Sequence, residues 1–190
     1  AGSIGSELCR QIARLSPVRL ILFEIAESPL FFLEMEMREM FPTLGLVPVI
    51  GDVRDRGRVE EIIRAHQPAI IFHAAAYKHV PMMELHPVEA VKTNVLGTRI
   101  VAEAAAKFGV GRFVLISSDK AVRPTNVMGA TKRVAELVIH NIASREGSTV
   151  FVAVRFGNVL DSVGSVIPIF RRQLVATGKL TVTHAEASRY

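Results

Sequence analysis

One cysteine, Cys9, stands among the 190 residues of this chain. A lone thiol rules out an internal disulfide framework and any multi-cysteine zinc site, and it fits a reducing compartment such as the cytoplasm. No apolar run approaches the roughly 18–20 residues needed to span a bilayer. The opening residues lack the pattern of a secretory leader, and there is no internal repeat, low-complexity tract or flexible linker. The net charge is +5, yet the basic residues are scattered: Arg10, Arg14, Arg54, Arg56, Arg58, Lys132, Arg133, Arg171 and Arg172. Without a long basic run, or basic residues interleaved with aromatic ones, nucleic acid is not an expected partner; an anionic small molecule is. What the chain does have is 49% hydrophobic residues against 22% charged, enough to fill a core and to exclude intrinsic disorder. At roughly 150 residues per domain, this is one domain with the start of a second.

Short β-branched runs alternate with amphipathic stretches. The pattern predicts helices over 6–15, 30–40, 58–65, 87–108 and 129–144, and strands over 19–23, 47–50, 69–73, 113–117 and 150–155. Nearly continuous apolar strands separated by helices indicate an α/β fold, a doubly wound parallel sheet covered on both faces. The first helix opens behind a glycine turn with no strand before it, and the segment from 156 to 190 stops without closing a unit. The expectation is a piece of a longer protein, truncated at both ends and lacking its first strand, with poor stability on its own.

Three features fall at successive strand ends, the edge where such sheets bind ligands. Gly2, Ser3, Ile4 and Gly5 form a G-x-x-G turn running straight into a helix; the glycines permit a tight turn and let a pyrophosphate approach the helix N-terminus. About twenty residues on, Glu24 ends the next strand, where a carboxylate can accept both ribose hydroxyls of an adenosine and repel a 2′-phosphate, favouring NAD over NADP; a solvated strand-end glutamate is the plainer reading. Asp52, with Val53 beside it, follows the next strand, where its carboxylate can meet an adenine amino group. The small Ala74, Ala75 and Ala76 follow the strand after that, where a cofactor can lie against the backbone. Together these residues point to a dinucleotide site.

Longer motifs carry a resemblance. Ala75-Ala76-Tyr77-Lys78-His79-Val80-Pro81-Met82-Met83-Glu84, Ser117-Ser118-Asp119-Lys120-Ala121-Val122, Pro124 through Arg133, and Arg155-Phe156-Gly157-Asn158-Val159-Leu160 resemble the extended short-chain dehydrogenase/reductases. Within these they are similar to the polysaccharide-biosynthesis branch that acts as UDP-N-acetylglucosamine 4,6-dehydratases. The resemblance implies a Rossmann-like NAD-binding domain over 1–155 and the beginning of a substrate-binding portion over 156–190. It also implies a UDP-sugar substrate and a role in surface glycan synthesis, and it leaves room for a homo-oligomer and for a membrane anchor outside this segment. Such an enzyme oxidises the sugar at C4, removes the acidified C5 proton, protonates the departing C6 hydroxyl and returns hydride to C6. Two proton-transfer groups are therefore needed beside the nicotinamide. The resemblance assigns Asp119 as the acid at C6 and Lys120 as the base at C5, which asks for a protonated carboxyl and an amine that is neutral part of the time. By residue type alone the two would make an ordinary surface ion pair.

The wider superfamily carries Tyr-x-x-x-Lys, and here Met128 stands four residues before Lys132. That spacing keeps one helical face, but a thioether transfers no proton. The base for C4 oxidation is then a water held by Ser118 or Lys132, or Asp119 itself. Methionine in this slot resembles the long, membrane-anchored subset of these dehydratases. By resemblance, Asn94 steadies the long helix and the active-site lysine through water and is counted with the substrate residues; Lys78 and His79, after the strand over 69–73, can line the substrate side, and Asn158 resembles part of the region that holds the UDP portion. Ser165-Val166-Ile167-Pro168 resembles a UDP-holding stretch, with Arg171 and Arg172 able to reach a diphosphate, and Asp161 stands where the family more often has glycine. A nucleotide-sugar epimerase of the same superfamily and a non-catalytic dinucleotide-binding scaffold are the alternative readings.

Overall fold

The computed structural model describes residues 1–145, 147–159 and 165–182; Leu160, Asp161 and Gly164 lie outside them. The elements run α1 (Ser3–Ala13), β1 (Arg19–Glu24), α2 (Glu27–Met40), β2 (Gly45–Ile50), α3 (Arg56–His66), β3 (Ile70–His73) and α4 (Val80–Leu85). There follow α5 (Pro87–Ala90), a π-helical stretch (Val91–Gly97), α6 (Thr98–Lys107), β4 (Arg112–Ile116), a 3₁₀ turn (Asp119–Ala121), α7 (Val127–Ala143), β5 (Val150–Val154) and α8 (Val166–Thr177). The chain divides into two compact units, one holding Ser3–Gly157 and the other beginning at Asn158. Among the described residues no helix is long and apolar enough to cross a membrane.

All strand pairs are parallel, as the βα alternation requires. β1 pairs with β2 from Arg19–Gly45 to Glu24–Ile50, while β3, β4 and β5 form a second sheet in which Ile70, Arg112 and Val150 are in register. Local chemistry sets the helix ends. Asp55 caps α3 by accepting from the Arg58 amide at 3.1 Å, and Gln67 closes it in the left-handed region. Asn126 caps α7 by accepting from the Gly129 amide at 2.8 Å. The expected 87–108 helix is present as α5, the π-helical stretch and α6, with right-handed helical backbone through Ala90, Gly97 and Thr98.

The main core lies between the second sheet and the helices α3, α6 and α7, with Phe113, Leu115, Ala102, Ala105, Ala135 and Ile139 at its centre. Fully burying a side chain such as Phe113 contributes about 1.5–3 kcal/mol. A second core joins α1 and α2 to β1 and β2 around Leu22, Leu30 and Met37. The parallel α/β architecture is as expected. β1–β2 and β3–β4–β5 are separate ladders, and α1 and α2 pack on the first one only. The opposite face of the second sheet therefore leaves Ile70, Phe72, Val150, Val152 and Val154 between 40% and 55% exposed.

Candidate active site at the strand ends

β4 delivers the chain to Ser117, and the next three residues turn in a single 3₁₀ loop. Ser118 starts that turn: its hydroxyl accepts from the Lys120 amide at 3.1 Å and donates to Asp119 Oδ1 at 2.8 Å. Asp119 Oδ1 also accepts from the Lys120 amide at 2.9 Å and pairs with Lys120 Nζ at 3.1 Å. Burial raises the Asp119 pKa, but the bonds from Lys120 and Ser118 outweigh it and hold the carboxyl below its ordinary range. Asp119 is thus ionised at neutral pH, whereas the acid role alone asked for a protonated carboxyl.

Beneath the turn lies Lys132. Its Nζ donates to the Ile116 carbonyl at 2.6 Å, and the residue is 5% exposed. Burial pulls its pKa down to about 8, with Glu136 acting in the opposite direction. Met128, one turn earlier on α7, is 3% exposed and packs with Met83, Ala90, Val80 and Val127. It is a core side chain, and the proton acceptor must come from elsewhere. Gly129 permits the closest approach at the site: a Cβ there would sit 2.3 Å from the Lys120 carbonyl oxygen.

Asn94 corrects the expectation of a substrate contact. It is fully buried; its Oδ1 accepts from the Tyr77 amide at 2.8 Å, and its Nδ2 donates to the Tyr77 carbonyl at 3.1 Å and to Thr131 Oγ1 at 3.0 Å. It ties the loop after β3 to α7 from the π-helical stretch. A π-bulge of this kind aims one side chain sideways, and Gly97 lets Val53 pack close against it, since a Cβ there would fall 2.8 Å from Val53 Cγ2. The same network holds His73. Thr98 spends its proton on the Asn94 carbonyl at 2.7 Å, so His73 Nε2, 3.0 Å away, is the donor. Burial first, then the Lys132 charge, lowers the His73 pKa to about 3, and the ring is neutral.

The expected dinucleotide residues are arranged as follows. Gly2 and Gly5 have open space where a Cβ would point, and Ser3 and Ile4 lie in the first turn of α1. Glu24 ends β1, with Oε1 accepting from the Ile25 and Ala26 amides at 2.9 and 3.1 Å. Asp52 is engaged by Arg54, whose Nε lies 2.8 and 3.0 Å from the two carboxylate oxygens, so an adenine would have to share it. Val53 belongs with the residues packed on the main core. Ala74 and Ala76 are half-buried beyond β3, while Ala75, Lys78 and His79 are exposed. Asn158 opens the second unit, which also holds Ser165, Arg171 and Arg172. A cavity of about 350 Å³ lined by Glu103, Lys107, Ile142, Arg145, Thr149 and Phe151 lies at the other end of β5.

The model of the family described as "Polysaccharide biosynthesis protein" matches residues 1–190. The chain belongs to that family. It is 49% identical to the capsular polysaccharide biosynthesis protein CapD of Staphylococcus aureus and 50% identical to the probable polysaccharide biosynthesis protein EpsC of Bacillus subtilis. Each match covers all of this chain and 32% of the relative, so the chain spans about a third of those proteins. The crystal structure of Pen from Bacillus thuringiensis superposes with a TM-score of 0.90 at 38% identity, covering 96% of this chain and 57% of that one. The UDP-glucose 4-epimerase of Rickettsia canadensis is 45% identical over 143 residues, 74% of this chain and 41% of the relative. DesIV, a dTDP-glucose 4,6-dehydratase from Streptomyces venezuelae solved with NAD and DAU bound, has a TM-score of 0.78 at 24% identity, over 95% of this chain and 61% of that one. That last likeness shows the fold, a Rossmann-like doubly wound α/β architecture.

Two parts of the site escaped the sequence reading. One is the His73–Thr98–Asn94–Thr131 chain, whose only linear trace is the four-residue step from Asn94 to Thr98. The other is the set of partners around Glu136, marked in sequence by its four-residue step from Lys132.

Proposed function

We propose that this chain forms the cofactor-binding part of an NAD-dependent nucleotide-sugar 4,6-dehydratase that acts on UDP-N-acetylglucosamine in surface polysaccharide synthesis. The observation that carries the reading is the Asp119–Lys120 pair, 3.1 Å apart on a turn at the end of β4 and adjoining the helix that carries Lys132. Membership of a polysaccharide-biosynthesis family supports the pathway, and the dehydratase solved with NAD supports the cofactor. The residues present suit that cofactor: open space at Gly2 and Gly5 at the start of α1 leaves room for a pyrophosphate, and ionised Glu24 suits a ribose and disfavours a 2′-phosphate.

When bound, the cofactor supplies a reversible hydride transfer, off C4 and later onto C6. The chain's own groups handle the protons. With Met128 in the core and Asp119 held ionised, Asp119 is the group suited to take the C4 hydroxyl proton. Now neutral, it can give that same proton to the departing C6 oxygen, which leaves as water. Lys120, paired with Asp119 as an ammonium, first gives a proton to solvent; as an amine it takes the C5 proton, returns it to C5 as hydride arrives at C6, and is then reprotonated. The proton count closes, and each group ends as it began. By the resemblance, Lys132 would hold the nicotinamide ribose. The epimerase reading draws on the Rickettsia relative, but it has no use for a second proton-transfer group.

Incubation of the whole protein with UDP-N-acetylglucosamine and NAD separates the readings. A dehydrated 4-keto sugar supports the dehydratase, a C4 epimer the epimerase, and cofactor binding without turnover a scaffold. Asp119→Asn and Lys120→Met are each expected to abolish dehydration while NAD affinity changes little. Wild-type turnover in either variant removes that residue's role.

A further inference from the structure

Glu136 is a buried carboxylate that the chemistry above leaves unused. Its side chain is 6% exposed and gathers four donors. Oε1 accepts from Ser117 Oγ at 2.6 Å and Arg155 Nε at 2.8 Å; Oε2 accepts from Arg155 Nη2 at 2.6 Å and Arg133 Nη1 at 3.0 Å. Burial penalises the charge, but the bonds from Arg155, Ser117 and Arg133 more than offset it, and its pKa falls to about 2. A buried ion cluster of this kind is a poor stability device, because apolar residues of the same volume commonly hold a fold as well. Its geometry suggests another use.

Ser117 and Arg155 are the first residues past β4 and β5, whose last registered pair is Ile116–Val154. The Ser117 amide donates to the Val154 carbonyl at 2.7 Å, and the Asp119 amide to that of Phe156 at 3.0 Å. One carboxylate on α7 thus binds both strand ends at the point where the Ser118–Lys120 turn begins. Four residues earlier on the same helix, Lys132 bonds the Ile116 carbonyl. The charged and titratable groups around that ammonium are Glu136 on its own helix, neutral His73 at the end of β3, and the Asp119–Lys120 pair on the turn packed against α7. Arg133 and Arg155 are bonded to Glu136 itself.

We propose that Glu136 is a positioning residue for the reaction: it staples the ends of β4 and β5 to α7 beneath the Asp119–Lys120 turn and supplies the anion beside Lys132. The inference rests on the dehydratase reading, but its test is built to separate the two.

Glu136→Gln keeps the shape and removes the charge. The expected result is a kcat about 10–100-fold lower, the scale of a sub-ångström to 1 Å misplacement, with NAD affinity within about three-fold. Lys132, followed through its 13Cε signal by NMR, is expected to lose its proton about one pH unit lower. Glu136→Asp is expected to restore the titration and part of the rate. An unchanged Lys132 titration in the glutamine variant, or a rate loss that aspartate does not relieve, overturns the proposal. If Glu136→Gln does not fold, Arg155→Lys decides, since it breaks the two-pronged bond yet leaves the carboxylate. A lower rate at an unchanged Lys132 midpoint supports the staple, and wild-type rate overturns it. The NMR titration needs no turnover, so a protein that binds NAD but makes no 4-keto sugar refutes the dehydratase reading while the Lys132 titration still decides Glu136.

Discussion

Gly129 lies in the first turn of α7, directly against the Lys120 carbonyl. A methyl group there would meet that oxygen at 2.3 Å and the carbonyl carbon at 3.1 Å, where real Cβ contacts essentially never fall below 3.0 Å. In Gly129→Ala the Lys120 backbone must therefore retreat by at least about 0.7 Å, a distance set by those contacts. Two stability effects oppose each other. Alanine improves helix propensity by about 0.8–1 kcal/mol, and overpacking costs about 1–3 kcal/mol. The net loss of folding free energy is about 0–2 kcal/mol, too small to unfold most domains. The expected catalytic effect is larger, because the displaced backbone carries both of the proposed proton-transfer groups, and a misplacement approaching 1 Å costs up to about 100-fold. A coupled measurement of 4-keto sugar formation, NAD affinity and thermal unfolding is expected to show kcat down by about 10–100-fold with affinity unchanged. Wild-type kcat in a folded Gly129→Ala protein would refute the reasoning that this contact sets the turn.

Met128→Ala is expected to destabilise the protein by about 2–4 kcal/mol in urea unfolding, as cavity formation in the Met83–Ala90 cluster requires. Met128→Leu is expected to cost under about 1.5 kcal/mol and keep turnover within a few-fold; abolished turnover in the leucine variant would show that the thioether acts in the chemistry. The folded-state pKa of Glu136, about 2, lies below its ordinary 4.5. Its contribution is therefore complete above the ordinary value and is lost as pH falls towards 2. Urea unfolding between pH 7 and 2.5 is expected to show the gap between wild type and Glu136→Gln shrinking by about 2–3 kcal/mol, and a gap independent of pH would contradict the pairing. The uncovered face bearing Ile70, Phe72, Val150, Val152 and Val154 predicts that the 190-residue chain, prepared alone, binds the apolar dye ANS and melts broadly. A sharp, dye-free melt would oppose that.

Much of the fold was legible because it rests on short-range rules. β1, β3 and β5 announce themselves as short, nearly continuous apolar runs, and α7 as a long amphipathic stretch. The misses are also physical. α4 is six residues long with Pro81 in its first turn, too short for a period to show. α8 falls in the segment from 156 to 190, where no helix bounds were expected. That the strands pair as two ladders was not legible, because pairing between distant strands leaves no mark in local periodicity.

The site divides along the same line. Sequence by itself set Ser118, Asp119 and Lys120 side by side and put Met128 one helical turn before Lys132, and the resemblance of those motifs is what proposes them for the chemistry. Adjacency and spacing are local facts, set by chain geometry before any packing occurs. Tertiary structure alone decided the state of those groups. Burial under β4 lowers Lys132, a neighbouring ammonium holds Asp119 ionised, and Asn94 turns from a substrate contact into a tie between Tyr77 and Thr131. It also decided that Met128 faces the core and that Ser117, Arg133 and Arg155, from three segments, converge on Glu136. The reason is that desolvation and charge–charge energies depend on distance through space, which the order of residues along the chain does not contain.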